Sequence, residues 1–172
     1  NIALDGFADV VPALQAKGQT AVVVAVDGTA WGVVGIADVI RPNAAAAIAD
    51  LHAVGLDQLV MLTGDNQTTA EAIAAQVGID EVRADLAPED KSRIVGELAA
   101  AHGRVAMVGD GVNDAPALAA ASVGIAMGTA GSDVALETAD VALMADDLSK
   151  LTEAMRIGRR TRKVVRQNLI LS

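Results

Sequence analysis

Three short segments carry residue types that could do chemistry. The sharpest is Gly109-Asp110-Gly111-Val112-Asn113-Asp114-Ala115-Pro116-Ala117-Leu118, which follows the apolar run Val105-Ala106-Met107-Val108. A strand there delivers Asp110 to its C-terminal tip, where open α/β sheets bind ligands. Gly109 and Gly111 permit a tight turn and close backbone approach. Asp114 stands just ahead of a helix with Pro116 in its first turn. Two carboxylates and the Asn113 amide on one loop suit a hard, oxygen-seeking cation such as Mg²⁺. The competing reading is a solvated Asp110-Gly111 turn with Asp114 as a helix N-cap.

The second segment, Met61-Leu62-Thr63-Gly64-Asp65-Asn66, also ends a strand and opens a helix. A hydroxyl and free N–H groups at a helix start can cradle a phosphate. Its plainer reading is a polar turn capped by Thr or Asp. The third is Pro88-Glu89-Asp90-Lys91, in the first turn of a helix. A cation there opposes the helix dipole, so Lys91 is misplaced unless it answers an external anion; otherwise it is a surface lysine. Thr, Lys and Asp at successive strand-to-helix junctions can converge on one phosphate and its metal.

Short aliphatic runs alternate with helical stretches, the pattern of a parallel sheet with crossover helices. The spacing predicts a helix near Phe7–Lys17, then strands Thr20–Val26 and Thr29–Ala37 joined by Asp27-Gly28, a type I′ hairpin signal. Asp38 to Pro42 reads as a joint, because a residue preceding proline is pushed toward extended geometry. Helices follow at Pro42–Val54, Thr68–Val77, Pro88 to its end at Gly103, and Ala115–Ala121. Strands are expected at Gln58–Leu62, Glu81–Ala84, Arg104–Val108, Val123–Ala126 and Val141–Met144, with a last helix from near Asp147. His52 and His102, beside Gly55 and Gly103, read as capping or surface residues.

Composition narrows the classes. The 172 residues are 52% apolar but 1% aromatic, so the core is Ala, Val, Ile and Leu. Zero cysteines exclude a disulfide scaffold, a thiolate metal site and a Cys nucleophile. From Arg156 onward there are six basic residues and no acidic ones, leaving seven basic against 22 acidic residues before it, −15 against +6. An acidic body argues against nucleic acid as a partner. The longest aliphatic run, Ala21–Val26, falls far short of the roughly 20 residues that span a bilayer. The tail mixes Arg159, Arg160, Arg162, Lys163 and Arg166 with Val164, Val165, Leu169 and Ile170. It reads as an approach to a membrane rather than a plain solvated face. The absence of an initial Met, and the ending Leu169-Ile170-Leu171-Ser172, suggest an excised fragment.

The three segments resemble the phosphorylation-domain motifs of P-type ATPases, cation pumps of the haloacid-dehalogenase-like superfamily. Gly35-Ile36-Ala37-Asp38-Val39-Ile40-Arg41-Pro42 resembles their return hinge from the nucleotide-binding domain. Gly124-Ile125-Ala126-Met127-Gly128, with Gly131 through Met144, looks like the heavy-metal branch, most of all exporters of zinc, cadmium, cobalt and lead. The resemblance implies an α/β fold with a Rossmann-like parallel sheet and an N-terminal antiparallel hairpin remnant. It implies residues 1–37 as the end of the nucleotide-binding domain, 38–150 as the phosphorylation domain, and 151–172 as a basic membrane-proximal helix. Thr63 and Lys91 would hold phosphoryl oxygens, and Asp110 would ligate Mg²⁺ with support from Asp114 and Asn113. Gly64 and Asp65 would line the site, and Asp38 and Arg41 would lie near the nucleotide. ATP would be the substrate. The partners would be a transported cation and the pump's actuator and membrane domains, with this segment on the cytoplasmic side of the cell membrane.

One departure matters. These pumps phosphorylate the aspartate of Asp-Lys-Thr-Gly-Thr, which this chain lacks. Val22-Val23-Val24-Ala25-Val26-Asp27-Gly28-Thr29 superficially resembles the Asp-x-Asp-Gly-Thr start of soluble phosphatases in the superfamily, but Ala25 stands at the nucleophile position. The chain alone is therefore expected not to form a phosphoenzyme. The missing strand would lie centrally, between those ending at Thr63 and Asp110. Its loss leaves either two open edges, inviting a strand-exchanged dimer, or direct pairing of those strands. The rival readings are a soluble phosphatase of the superfamily and a noncatalytic Mg²⁺/phosphate-binding module.

Overall fold

The computed structural model describes residues 4, 6–37, 39–110, 113–128, 137–144 and 146–171. It divides into two compact units, one of Asn1–Ala45 with Gln58–Leu86, the other of Ala46–Asp57 with Ala87–Ser172.

In the first unit, α1 (Val10–Gln15) precedes an antiparallel pair, β1 (Thr20–Val26) and β2 (Thr29–Ile36). Asp27 (φ 49°) and Gly28 (φ 79°) are both left-handed, as a type I′ turn requires. Asp27 is thus a hairpin corner and not a phosphatase aspartate. The register runs from Thr20 opposite Ile36 to Val26 opposite Thr29, with an irregularity between Val24 and Ala25. Trp31, between the partners of those two residues, is 71% exposed. Helix α1 lies against both strands and against α3 (Gln67–Val77). The buried Thr69 hydroxyl donates to the Gln19 carbonyl at 3.2 Å, tying α3 to the start of the hairpin. Strands β3 (Val60–Leu62) and β4 (Glu81–Arg83) flank α3 and pair in parallel.

The second unit holds a parallel sheet in the order β5 (Ala106–Gly109), β6 (Val123–Met127), β7 (Val141–Leu143). Helix α4 (Pro88–His102) contributes Ile94 and Val95 to the core, and α5 (Ala115–Ala120) contributes Ala117 and Leu118. Met107, Ala126 and Met127 of the sheet are also buried, Met127 on the opposite face from its neighbour Ala126, an aliphatic core in keeping with the lack of aromatics. A Cβ on Gly124 would stand 2.7 Å from the Leu118 carbonyl oxygen, so the chain leaving α5 approaches β6 more closely than any side chain allows. Helix α2 (Ala44–Ala53) runs across the division between units; the His52 Nδ1 donates to the Leu56 carbonyl at its C-terminal end, as expected of a capping residue.

The last helix, α6 (Ser149–Leu171), begins where the Asp147 carboxylate accepts from the Ser149 N–H at 3.0 Å. It buries Leu151 and Thr152, while every residue from Arg156 to Leu171 is exposed. No helix among the described residues is long and apolar enough to cross a membrane.

The expected elements are present, with local differences at their ends. Gly6–Asp9 form turns, so the first helix starts at Val10 rather than near Phe7, and Pro42-Asn43 form a turn ahead of α2. Of the two outcomes expected for a missing central strand, the open-edged one is found: β3 pairs with β4, and β5 with β6. Direct pairing of β3 with β5 is not adopted.

Candidate functional site

In the first unit the ladder continues one residue past β3, where the Thr63 N–H donates to the Arg83 carbonyl at 3.0 Å. The chain then turns on its own side chains. The Thr63 hydroxyl accepts from the Asp65 N–H at 3.1 Å and donates to the Asp65 carboxylate at 3.0 Å. Thr63 and Asp65 are half-buried and Gly64 is exposed. A Cβ at Gly64 would come within 3.3 Å of the Leu86 carbonyl oxygen, so the turn has little room for a larger residue. The cap of α3 is neither Thr63 nor Asp65. Asn66 holds the N-cap, its Oδ1 accepting from the Thr69 N–H at 3.0 Å while its amide donates to the Thr69 hydroxyl. Thr63 and Asp65 are thereby left to the loop.

In the second unit, α4 has Ala87 at its N-cap, with no side-chain oxygen to offer, and Pro88 at the first helical position. The Asp90 carboxylate accepts from the Ala87 N–H at 3.1 Å, making half of a capping box. Arg93 bridges Asp90 at 3.0 Å and Glu97 at 2.7 Å. The Arg93 guanidinium and then the Ala87 N–H hold the Asp90 carboxyl below its ordinary value. The same acids raise the Arg93 value.

Lys91 turns away from this surface network. Its ammonium donates to the Asp114 carboxylate at 2.7 Å, with the side chains only 19% and 15% exposed. The anion that answers this cation within the chain is therefore Asp114. Asp114 occupies the N-cap position of α5 but makes no capping hydrogen bond, because its carboxylate is directed to Lys91. That removes the reading of Asp114 as a cap. Ser92 adds a second link, its hydroxyl donating to the Pro116 carbonyl at 3.3 Å. Asp110 is exposed at the tip of β5, Asn113 is exposed beside it in sequence, and Arg41 is exposed ahead of α2. Asp38, Gly111 and Val112 lie outside the described residues, as do Gly131–Leu136 of the heavy-metal-like stretch.

The donor set fits Mg²⁺ in kind. That ion binds through one or two carboxylates and completes its shell with waters and substrate phosphate oxygens. Asp110 and Asp114 supply two carboxylates on one short loop. Among the described residues no group of three or more His, Cys, Asp or Glu could hold a metal by itself.

The haloacid dehalogenase-like hydrolase family matches residues 2–122. The chain belongs to the haloacid dehalogenase-like hydrolase family, and its parallel strands and helices with an added hairpin are that α/β fold. Within it, the similarity is to P-type metal-transporting ATPases, as the motifs imply. The chain is 52% identical over 163 residues to the probable cadmium-transporting ATPase of Staphylococcus aureus, covering 95% of this chain and 22% of that protein. It is 53% identical over 166 residues to the probable cation-transporting ATPase G of Mycobacterium bovis, covering 96% of this chain and 21% of that protein. A crystal structure of a zinc-transporting PIB-type ATPase superposes with a TM-score of 0.78 at 45% identity, covering 97% of this chain and 27% of that one. The chain thus spans about a fifth of the length of the curated relatives it matches.

Proposed function

We propose that this chain is the phosphorylation segment of a membrane ATPase that exports a divalent heavy-metal cation, on the cytoplasmic side of the cell membrane. The observation that carries the reading is the Lys91–Asp114 pair at 2.7 Å, a mostly buried cation and carboxylate on adjacent helix starts. Relatives named as cadmium-transporting and zinc-transporting ATPases support it. In this reading residues 1–37 end the nucleotide-binding domain, 38–150 form the phosphorylation domain, and 151–172 are the membrane-proximal stem. The exposed, wholly basic charge of α6 beyond Arg156 suits a negatively charged membrane surface.

Phosphoryl transfer is largely positioning and charge neutralisation. Lys91 has three N–H donors, so it can keep Asp114 and still donate to a phosphoryl oxygen. In the proposed role the Thr63 hydroxyl, whose hydrogen is given to Asp65 here, would also hold a phosphoryl oxygen. Gly64 and Asp65 shape that loop. Asp110 and Asp114 would hold Mg²⁺, with Asn113 supporting the phosphate. When bound, Mg²⁺ would neutralise charge on the phosphoryl oxygens. Asp38 and Arg41 would lie near the ATP. The accepting aspartate is not in this chain, so ATP cleavage would need the rest of the pump, with its actuator and membrane domains. The open edges of β3 and β5 would let two copies of the isolated chain exchange strands.

Val22–Thr29, the segment that resembles a soluble-phosphatase start, has Ala25 at the nucleophile position and Asp27 in a hairpin turn, which argues against reading it as a phosphatase nucleophile strand. A noncatalytic module binding Mg²⁺ and phosphate shares the site and differs in having no parent pump. Calorimetry with orthovanadate, a phosphate mimic, tests whether the site is formed. Binding that requires Mg²⁺ and is lost in Asp110→Asn is expected. A folded chain that binds vanadate equally well without Mg²⁺, or not at all, would contradict it.

A further inference from the structure

We propose that Gly109 is a positioning residue, whose missing side chain is the space that the Asp114 carboxylate occupies on its way to Lys91. A Cβ built on Gly109 would stand 2.7 Å from Asp114 Oδ2, 2.9 Å from Asp114 Cβ and 3.2 Å from Asp114 Cγ. The first two distances are shorter than carbon tolerates, and the Asp114 Cβ is fixed by the backbone at the head of α5. Turning the carboxylate aside would relieve only the first. Gly109 is not among the glycines with positive φ, so no backbone conformation calls for glycine here. It ends β5, where glycine weakens a strand and so marks a close approach. The other Asp114 oxygen, Oδ1, meets the Lys91 ammonium at 2.7 Å. Any alanine at 109 therefore displaces the side chain that holds Lys91.

The consequence is specific. Gly109 sets the Lys91–Asp114 pair through the space its missing side chain leaves to Asp114. Its meaning for phosphoryl transfer rests on the role proposed for Asp114, whereas its effect on the pair does not. The test therefore uses neither Mg²⁺ nor phosphate, and the two ideas fail separately.

The ¹⁵N resonance of the Lys91 ammonium reports its partner. Asp114→Asn is expected to move that resonance, and Gly109→Ala to move it to the same place. A folded Gly109→Ala chain whose Lys91 signal stays at its original position overturns the proposal. Should Gly109→Ala fail to fold, the double variant Gly109→Ala/Asp114→Gly decides, because it removes both clashing atoms and glycine is tolerated at an N-cap. Recovery of a cooperative urea transition supports the steric link. A double variant no more stable than Gly109→Ala overturns it.

Discussion

Lys91 sits in the first turn of a helix whose dipole disfavours a cation, and the Asp114 carboxylate at 2.7 Å reverses that preference. Because both side chains are mostly out of water, loss of one leaves the other poorly solvated. Lys91→Met is expected to destabilise the chain by about 1–3 kcal/mol, between the exposed and fully buried limits for an ion pair. Urea denaturation measures it, and an unchanged midpoint would contradict the pairing. Residue types were legible in the sequence: Thr63, Lys91, Asp110 and Asp114 all stood out by charge or hydroxyl at a strand-to-helix junction. Their partners were not. The sequence offers Lys91 only an external anion or the surface, because nothing in the spacing reveals that two successive helix starts come within one hydrogen bond. The sequence points to Thr or Asp as the cap, whereas the Asn66 side chain, not that of Thr63 or Asp65, closes the first turn of α3.

Helix α4 shows how an element compensates for a weak cap. Ala87 cannot accept a hydrogen bond through its side chain, and Asp90 takes its N–H while binding Arg93. The Asp90 carboxyl is held below its ordinary value of 3.8, chiefly by Arg93 and then by the Ala87 N–H. A depressed carboxyl stabilises the fold above its unfolded value and loses that contribution as pH falls through the folded one. Asp90→Asn should therefore lower stability at neutral pH, with the difference from wild type shrinking below about pH 4 and vanishing in stronger acid. Thermal melts across pH 3 to 7 would check it, and a difference independent of pH would contradict it. Alternating runs and Gly stops made the kind and order of the elements readable, including the Asp27-Gly28 hairpin. Element ends were less so, since Gly6–Asp9 and Pro42-Asn43 turn before their helices begin. The division of the parallel strands into β3–β4 and β5–β6–β7 is one of the two outcomes expected for a missing central strand, and pairing, being long-range, leaves no local mark to choose between them.

Across the whole molecule the charges divide into a −15 body and a +6 stem from Arg156 onward. The stem is exposed throughout, with Leu169, Ile170 and Leu171 at least 73% exposed. Among the described residues the two parallel sheets leave edges open at β3 and at β5, and unpaired edges recruit other strands. Light scattering of the isolated chain is expected to show mass rising with concentration; a monomer mass over a hundredfold range would contradict strand exchange. The central claim is that this chain works as the phosphorylation segment of a metal pump. It is tested most directly by substituting the chain for the matching segment of the probable cadmium-transporting ATPase of Staphylococcus aureus, to which it is 52% identical. The readout is the acid-stable, hydroxylamine-labile phosphoprotein formed from labelled ATP and Mg²⁺. The chimera is expected to form it, with Asp110→Asn and Lys91→Met reducing it at least tenfold, while the isolated chain forms none. A folded chimera that forms no phosphoprotein, or an isolated chain that does, would contradict the account.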